Sequence, residues 1–202
     1  MKNRDIKRQA ILDTAYRLFT THGFDKTTIS EITRQVGGSK ATIYSHFGSK
    51  EELFVECMMA AAEDYITSNV ALLDSSGSDP GTALREFGAG FLSFASSPDS
   101  VATQRLLVAE ATRSGIGRLF FTKITNLLGF VAAFLSKLMA AGVLRTDDAQ
   151  LAAAQLRALL EAEVVESLLL HVRENSPDEK EILRAVGRAV AVFMRAYAPT
   201  AR

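Results

Sequence analysis

The chain has little with which to cross-link itself or hold a metal. Its single cysteine, Cys57, excludes an internal disulfide and fits a reducing compartment. The three histidines, His22, His46 and His171, stand far apart and match no zinc-ligand spacing, so neither a metal nor another cofactor is expected. No uninterrupted apolar run reaches the roughly 18 residues of a membrane span, and the opening Met1–Arg8 is too polar for a secretory leader. A cytoplasmic protein with no membrane partner is the expectation. Net charge is zero overall, but it is unevenly spread. Through Glu52 the basic residues Lys2, Arg4, Lys7, Arg8, Arg17, Lys26, Arg34, Lys40 and Lys50 outnumber the acidic Asp5, Asp13, Asp25, Glu31, Glu51 and Glu52, and the remainder is correspondingly acidic. A basic first part beside an acidic rest is expected where only one part meets phosphate.

What is present is helical periodicity. With 48% apolar and 23% charged residues the chain can bury a core, and apolar residues recur at helical spacing while strand-like alternation is absent. A first helix is expected from Arg4 to His22, ended by Gly23 as a left-handed residue. Thr28-Ile-Ser-Glu31 reads as a capping box opening a short helix that carries Ile29, Ile32 and Val36. Gly37-Gly38 break it, Ser39 caps a third helix from Lys40 to about His46, and Ser49-Lys-Glu-Glu52 is a second capping box before a long helix. Asp74–Gly81 reads as a loop, with further helices near 82–96, 99–113, 117–141, 147–173 and 178–198.

Short helix, glycine turn, short helix is the geometry of a helix-turn-helix, whose second helix enters the DNA major groove. The third helix presents Ser39, Lys40, Thr42, Tyr44, Ser45 and His46, with only Ile43 and Phe47 to anchor it. That apolar face is too thin for burial on both sides, and its donors suit phosphates and base edges. Arg4, Lys7 and Arg8 are read as a solvated charged helix start in preference to a minor-groove arm.

The run Thr27-Thr-Ile-Ser-Glu-Ile-Thr-Arg-Gln-Val-Gly-Gly-Ser-Lys-Ala-Thr-Ile-Tyr-Ser-His-Phe-Gly-Ser-Lys-Glu-Glu-Leu-Phe54, with Ala15, Leu18-Phe19 and Gly23-Phe24 upstream, resembles the signature of TetR/AcrR-type regulators. The resemblance implies an all-α fold: a three-helix helix-turn-helix DNA-binding domain over residues 1–50 and a larger helical ligand-binding and dimerisation domain over 51–202. It implies a dimeric, ligand-responsive transcriptional regulator, most often a repressor, acting on double-stranded operator DNA. Carried over residue by residue, Thr28 would meet a phosphate at the head of its helix. Ser39, Lys40, Ala41 and Thr42 would lie at the groove floor, Tyr44 and His46 would hold phosphates, and Lys50 another. Three positions depart from the pattern: Gly38 stands where a small apolar residue is usual and loosens the turn, Ala41 replaces a common glycine, and Ser45 replaces an aromatic or larger polar residue.

Beyond Cys57, helix 117–141 is apolar nearly all round and is expected to be central. Its Phe121, Phe130 and Phe134, with the stripe Phe87, Phe91 and Phe94, suit an apolar cavity or equally an ordinary core. Polar residues among apolar neighbours are the candidate groups for orienting a small-molecule effector: Glu110, and Glu163, Ser167 and His171, which would share one face at a spacing of four. For these carboxylates a bond to Arg113, Arg157 or a neighbouring backbone is the plainer alternative, and Glu161 is read as a surface partner of Arg157. The last helix has a line Ile182, Val186, Val190, Phe193 and Tyr197, and a second through Leu183 and Met194 interrupted by Gly187. Two such lines fit a helix facing both its own core and a partner, and the resemblance implies a homodimer through the helices near 147–173 and 178–198. The rivals are a helical carrier or enzyme, and a degenerate relative that no longer reads DNA. Cys57 has no nearby histidine and no phosphate loop or dinucleotide fingerprint occurs, so no enzyme is expected.

Overall fold

The computed structural model describes residues 3–75 and 79–199. Among these residues the chain forms helices α1 (Asn3–Lys26), α2 (Ile29–Val36), α3 (Lys40–Tyr44), α4 (Lys50–Ser75), α5 (Pro80–Ala95), α6 (Pro98–Glu110), α7 (Ile116–Ala140), α8 (Ala149–Glu161), α9 (Val165–Leu169) and α10 (Glu179–Ala196), and no strand. They make two compact units. One comprises the residues up to Ala62 with Thr103–Lys123, the other Glu63–Ala102 with Ile124 onward.

The first unit closes around Ile11, Ala15, Leu18 and Phe19 of α1, Ile32 of α2, Ile43 and Phe47 about α3, and Leu53 and Phe54 of α4, all buried. Phe19, Phe24 and Phe54 form an aromatic trio with centroids 5.1–5.8 Å apart. Gly23 breaks α1 with φ 77 and ψ 173, a conformation closed to side chains with a Cβ. The buried Thr27 hydroxyl then donates to Leu18 O at 3.1 Å and Gly23 O at 2.9 Å, satisfying carbonyls that the break leaves free. The end of α6 and the start of α7 are fastened to this unit through Thr103 on Tyr16, Arg113 on Asp25 and Lys123 on Glu56.

In the second unit α10 packs against α5 and α8. Its buried line is Ile182, Ala185, Val186, Ala189, Val190 and Phe193, with Tyr197 stacked on Phe193. At Gly88 α5 comes close to α8 and α10: a Cβ there would stand 2.8 Å from Leu160 Cδ2 and 2.9 Å from Val186 Cγ1. Asp79, Asp148 and Asp178 cap α5, α8 and α10. On α10 the second line is open, with Leu183 54% exposed and nothing within 4 Å of a Cβ built on Gly187.

Three expectations need correction. Helix α7 is not enclosed: one face, Leu127, Val131, Phe134, Leu135 and Met139, is buried, while Phe121 is 71% and Phe130 45% exposed. By length and composition alone this helix could cross a membrane, but its buried line is protein core. The helix expected over 147–173 is two pieces, because the backbone leaves helical geometry at Val164 (φ −126, ψ −51), where Val164 and Val165 are both buried. It turns again at His171, with φ 56. The loop expected at 74–81 is shorter at its edges, since α4 runs to Ser75 and Asp79 caps α5; residues 76–78 lie outside the described residues, as do Met1 and Lys2.

Candidate nucleic-acid interface

The site is built on a very short helix. Five residues make too few backbone bonds to sustain α3 in isolation, so its ends are fixed by side chains. Ser39 Oγ accepts from Thr42 N at 3.2 Å, Ser39 N donates to Thr42 Oγ1 at 3.4 Å, and the two hydroxyls lie 3.1 Å apart. Ile43 and, just beyond the helix, Phe47 are buried and peg it to the first unit. The opposite face is open: Ser39, Lys40, Ala41, Tyr44 and Ser45 are exposed, and Thr42 and His46 are half-buried. The anchored and the free residues are those the spacing predicts.

The turn before α3 explains the paired glycines. Gly37 has φ 77 and Gly38 φ 105, so two consecutive residues need conformations that L side chains rarely adopt. Gly38 thus takes a conformation that the small apolar residue usual at this position would rarely adopt, and the turn is held from α1: Lys7 Nζ donates to Val36 O at 3.0 Å and Gly37 O at 2.9 Å. Arg8 pairs with Glu56 at 2.8 Å and lies over the Phe47 ring, 5.2 Å from its centroid. Sequence reasoning placed both residues in solvent. Their partners lie far away in sequence, 29 residues for Lys7 to Val36 and 48 for Arg8 to Glu56, so no local signal carries these contacts.

Two capping boxes differ in detail. Thr28 Oγ1 accepts from Glu31 N as expected, but the Glu31 carboxylate turns to Arg34 and Gln35, and these bonds hold its pKa below the usual value. At α4, Ser49 caps Glu52 N, while the Glu52 carboxylate accepts from Gly48 N at 2.9 Å. The exposed Thr28 hydroxyl, at the head of α2, keeps its own proton to donate. Lys50 is less free: its ammonium donates to Phe24 O at 2.5 Å and sits 4.1 Å from the Phe24 ring centroid, and burial lowers its pKa.

The candidate effector residues are scattered. Glu110 and Phe121 belong to the first unit, the others to the second. Glu110 Oε2 is buried and ion-paired with Arg113 Nε without a well-aligned hydrogen bond, and Arg113 also pairs with Asp25. Glu161 pairs with Arg157 at 2.9 Å. Glu163, Ser167 and His171 share no helical face: Glu163 is exposed and paired with Arg188, Ser167 donates to Val164 O, and His171 lies in the turn after α9. Phe134 is buried and Phe130 exposed. Phe87, Phe91 and Phe94 do gather, and with them Tyr65, whose role the sequence reading missed. Tyr65 stacks on Phe94 at 5.1 Å, Phe87 on Phe91 at 6.3 Å, and the Tyr65 hydroxyl donates to Phe87 O at 3.4 Å. Burial pushes the Tyr65 phenol up to about 12. Gly90 makes room for it, since a Cβ there would stand 2.5 Å from the hydroxyl, and a glycine inside an aromatic helical stripe is the signal that could have found it. Among the described residues no three His, Cys, Asp or Glu side chains are grouped to hold a metal ion.

An outward-facing five-residue helix behind a glycine turn, in an all-helical chain, defines a helix-turn-helix protein. Residues 11–57 match the family of bacterial regulatory proteins typified by TetR, and residues 82–199 match the C-terminal domain of AefR-like transcriptional repressors. The chain belongs to the TetR family. Among curated relatives it is 36% identical over 110 residues to the Bacillus subtilis regulator YerO, covering 52% of this chain and 36% of that one. It is 30% identical over 109 residues to BetI of Agrobacterium fabrum, covering 54% and 53%. The match thus spans between about a third and a half of these relatives' own length. Among solved structures, a TetR-family regulator from Mesorhizobium loti is 27% identical with a TM-score of 0.80, covering 98% of this chain and 100% of that one. The flavonoid-responsive regulator FrrA is 29% identical with a TM-score of 0.74 and the same coverage.

Proposed function

We propose that this protein is a cytoplasmic transcriptional repressor that binds a near-palindromic operator as a homodimer and is released by a small, largely apolar effector. The observation that carries this reading is α3, capped and pegged on one side and exposing Lys40, Ala41, Tyr44 and Ser45 on the other. In it the DNA-reading domain ends near Lys50, and the remainder senses the effector and dimerises. Repressors from Corynebacterium and Staphylococcus epidermidis, 42% and 38% identical over 48 and 47 residues, agree with that sign of regulation. The exposed apolar Leu151, Leu170, Leu183 and Val192 on or beside α8, α9 and α10 suit the two-fold contact. Effector binding would shift α4, which begins at Lys50, and so change the spacing of the two reading helices. A coupling of about 1–3 kcal/mol weakens DNA binding and, reciprocally, effector binding.

The aromatic cluster Tyr65, Phe87, Phe91 and Phe94, together with the similarity to a flavonoid-responsive regulator, favours a planar aromatic effector. A catalytic reading has no comparable support. The Cys57 thiol is buried, donates to Phe54 O, and is pushed well above its ordinary pKa by burial, the opposite of an activated nucleophile. The test is fluorescence anisotropy on the DNA upstream of the protein's own gene, with a flavonoid and a fatty acid as trial effectors. A specific complex weakened about 5- to 150-fold by the flavonoid is expected; no specific complex below about 100 mM salt refutes the reading.

A further inference from the structure

Two basic residues near the start of α1, Lys7 and Arg8, reach the two ends of the reading helix, while Arg4 is exposed. The C-terminal carbonyls of a helix carry partial negative charge and lack intrahelical donors. At the end of α2, Val36 O and Gly37 O receive the Lys7 ammonium, 3.0 and 2.9 Å away. These two residues open the glycine turn, whose backbone has no side chain to restrain it, and a Cβ on Gly38 would lie 3.9 Å from the same ammonium. At the other end of α3, Arg8 covers the ring of Phe47, the buried peg, and is itself tied to Glu56 of α4, which also holds Lys123 at 3.0 Å. Between these grips lie five helical residues with one buried side chain, Ile43. A helix so short takes its pitch from its two ends, and adjacent residues of α1 hold both.

We propose that Lys7 and Arg8 are positioning residues for the reading helix, fixing the turn before α3 and the aromatic peg after it, and that neither meets DNA phosphate. The consequence is specific. Loss of Lys7 tilts α3 and costs discrimination between operator and unrelated duplex while the number of neutralised phosphates stays the same.

The proposal rests on the DNA-binding reading, and two measurements separate their fates. In the first, the full-length protein, Lys7→Met, Lys7→Arg, Arg8→Met and Lys40→Met are titrated against the upstream duplex and a scrambled duplex across a salt series. Lys7→Met and Arg8→Met should bind the upstream duplex about tenfold more weakly, bind the scrambled duplex as before and keep the wild-type salt slope. Lys7→Arg, which can reach the same carbonyls, should recover most of the loss. Lys40→Met should reduce the slope by about one. A slope reduced by about one in Lys7→Met, equal weakening on both duplexes, or no weakening, overturns the proposal. The second needs no DNA: amide hydrogen exchange of Gly37, which donates to Thr33 O, and of Phe47, which donates to Ile43 O. Exchange at Gly37 should accelerate in Lys7→Met and at Phe47 in Arg8→Met, with the α10 amides unchanged. Unchanged exchange at both sites overturns the proposal even if wild type binds DNA. Accelerated exchange in a protein that binds no DNA sustains the grip on α3 and sinks the regulator reading alone.

Discussion

Ser39 does two jobs in this account, and they can be separated. Its hydroxyl caps α3, and it stands on the face proposed to meet DNA. Ser39→Ala removes the cap, which costs about 0.5–2 kcal/mol. Because α3 has five residues and no redundancy, that cost should fall on the fraction of molecules with α3 formed, and so on DNA affinity, by about 2- to 30-fold. Ser39→Asp keeps the cap, since aspartate is as good an N-cap as serine and its charge suits a helix start. Near phosphate, however, the carboxylate is repelled by about 1–4 kcal/mol at 4 Å, a loss of at least fivefold. The two scales therefore run in different orders. For stability, measured by thermal unfolding followed by circular dichroism, the aspartate variant should equal or exceed wild type and the alanine variant fall below it. For affinity, measured by anisotropy, wild type should lead, and the aspartate variant should lose binding although its helix is intact. If affinity simply tracks stability, with the aspartate variant binding as well as wild type, Ser39 is a cap and nothing more, and α3 does not face DNA as described.

Gly88→Ala sets overpacking against Leu160 and Val186, about 1–3 kcal/mol, against a helix-propensity gain of up to about 1 kcal/mol, so the net should range from near zero to a few degrees of lost melting temperature, and a raised melting temperature refutes the close contact. Glu181 is held below its usual 4.5 by Arg173 and by the Asp178 amide. A carboxylate depressed in the folded state stabilises above its unfolded pKa, and that contribution is lost as pH falls through the folded value. The stability gap between wild type and Glu181→Gln should therefore close below about pH 4.5, and a gap that persists into acid contradicts the pairing. Leu183→Glu, on the open line of α10, should leave the monomer fold intact and shift sedimentation toward monomer, with operator affinity falling alongside; an unshifted dimer removes α10 from the interface.

Much of this was legible in the chain because it is local. Gly23 and Gly37 break or end a helix through backbone conformation, and Thr28 and Ser49 begin one through a bond reaching three residues; such signals survive without tertiary context. The face of α3 was legible for the same reason: Ile43 and Phe47 are the only large apolar residues near it. What depends on contacts distant in sequence was hidden. Lys7 reaches a carbonyl 29 residues away and Lys50 one 26 away, and neither distance leaves a periodic trace. Helix α7 misled in the other direction: its composition reports how apolar it is, not whether one chain supplies enough surface to cover it. The proposed effector residues were the least legible, because an aromatic stripe in a core and one around a ligand read alike; Tyr65 beside Gly90 became visible only once α4 and α5 were packed.

The central claim is that two copies of the exposed face of α3 enter successive major grooves of one duplex, and hydroxyl-radical footprinting on the DNA upstream of the gene measures that directly. The account predicts two protected half-sites centred about 10 base pairs apart, or a multiple of that, on one side of the duplex, both lost together in the Lys40→Ala, Tyr44→Ala double variant. A single protected site, or protection that survives the double variant, contradicts it.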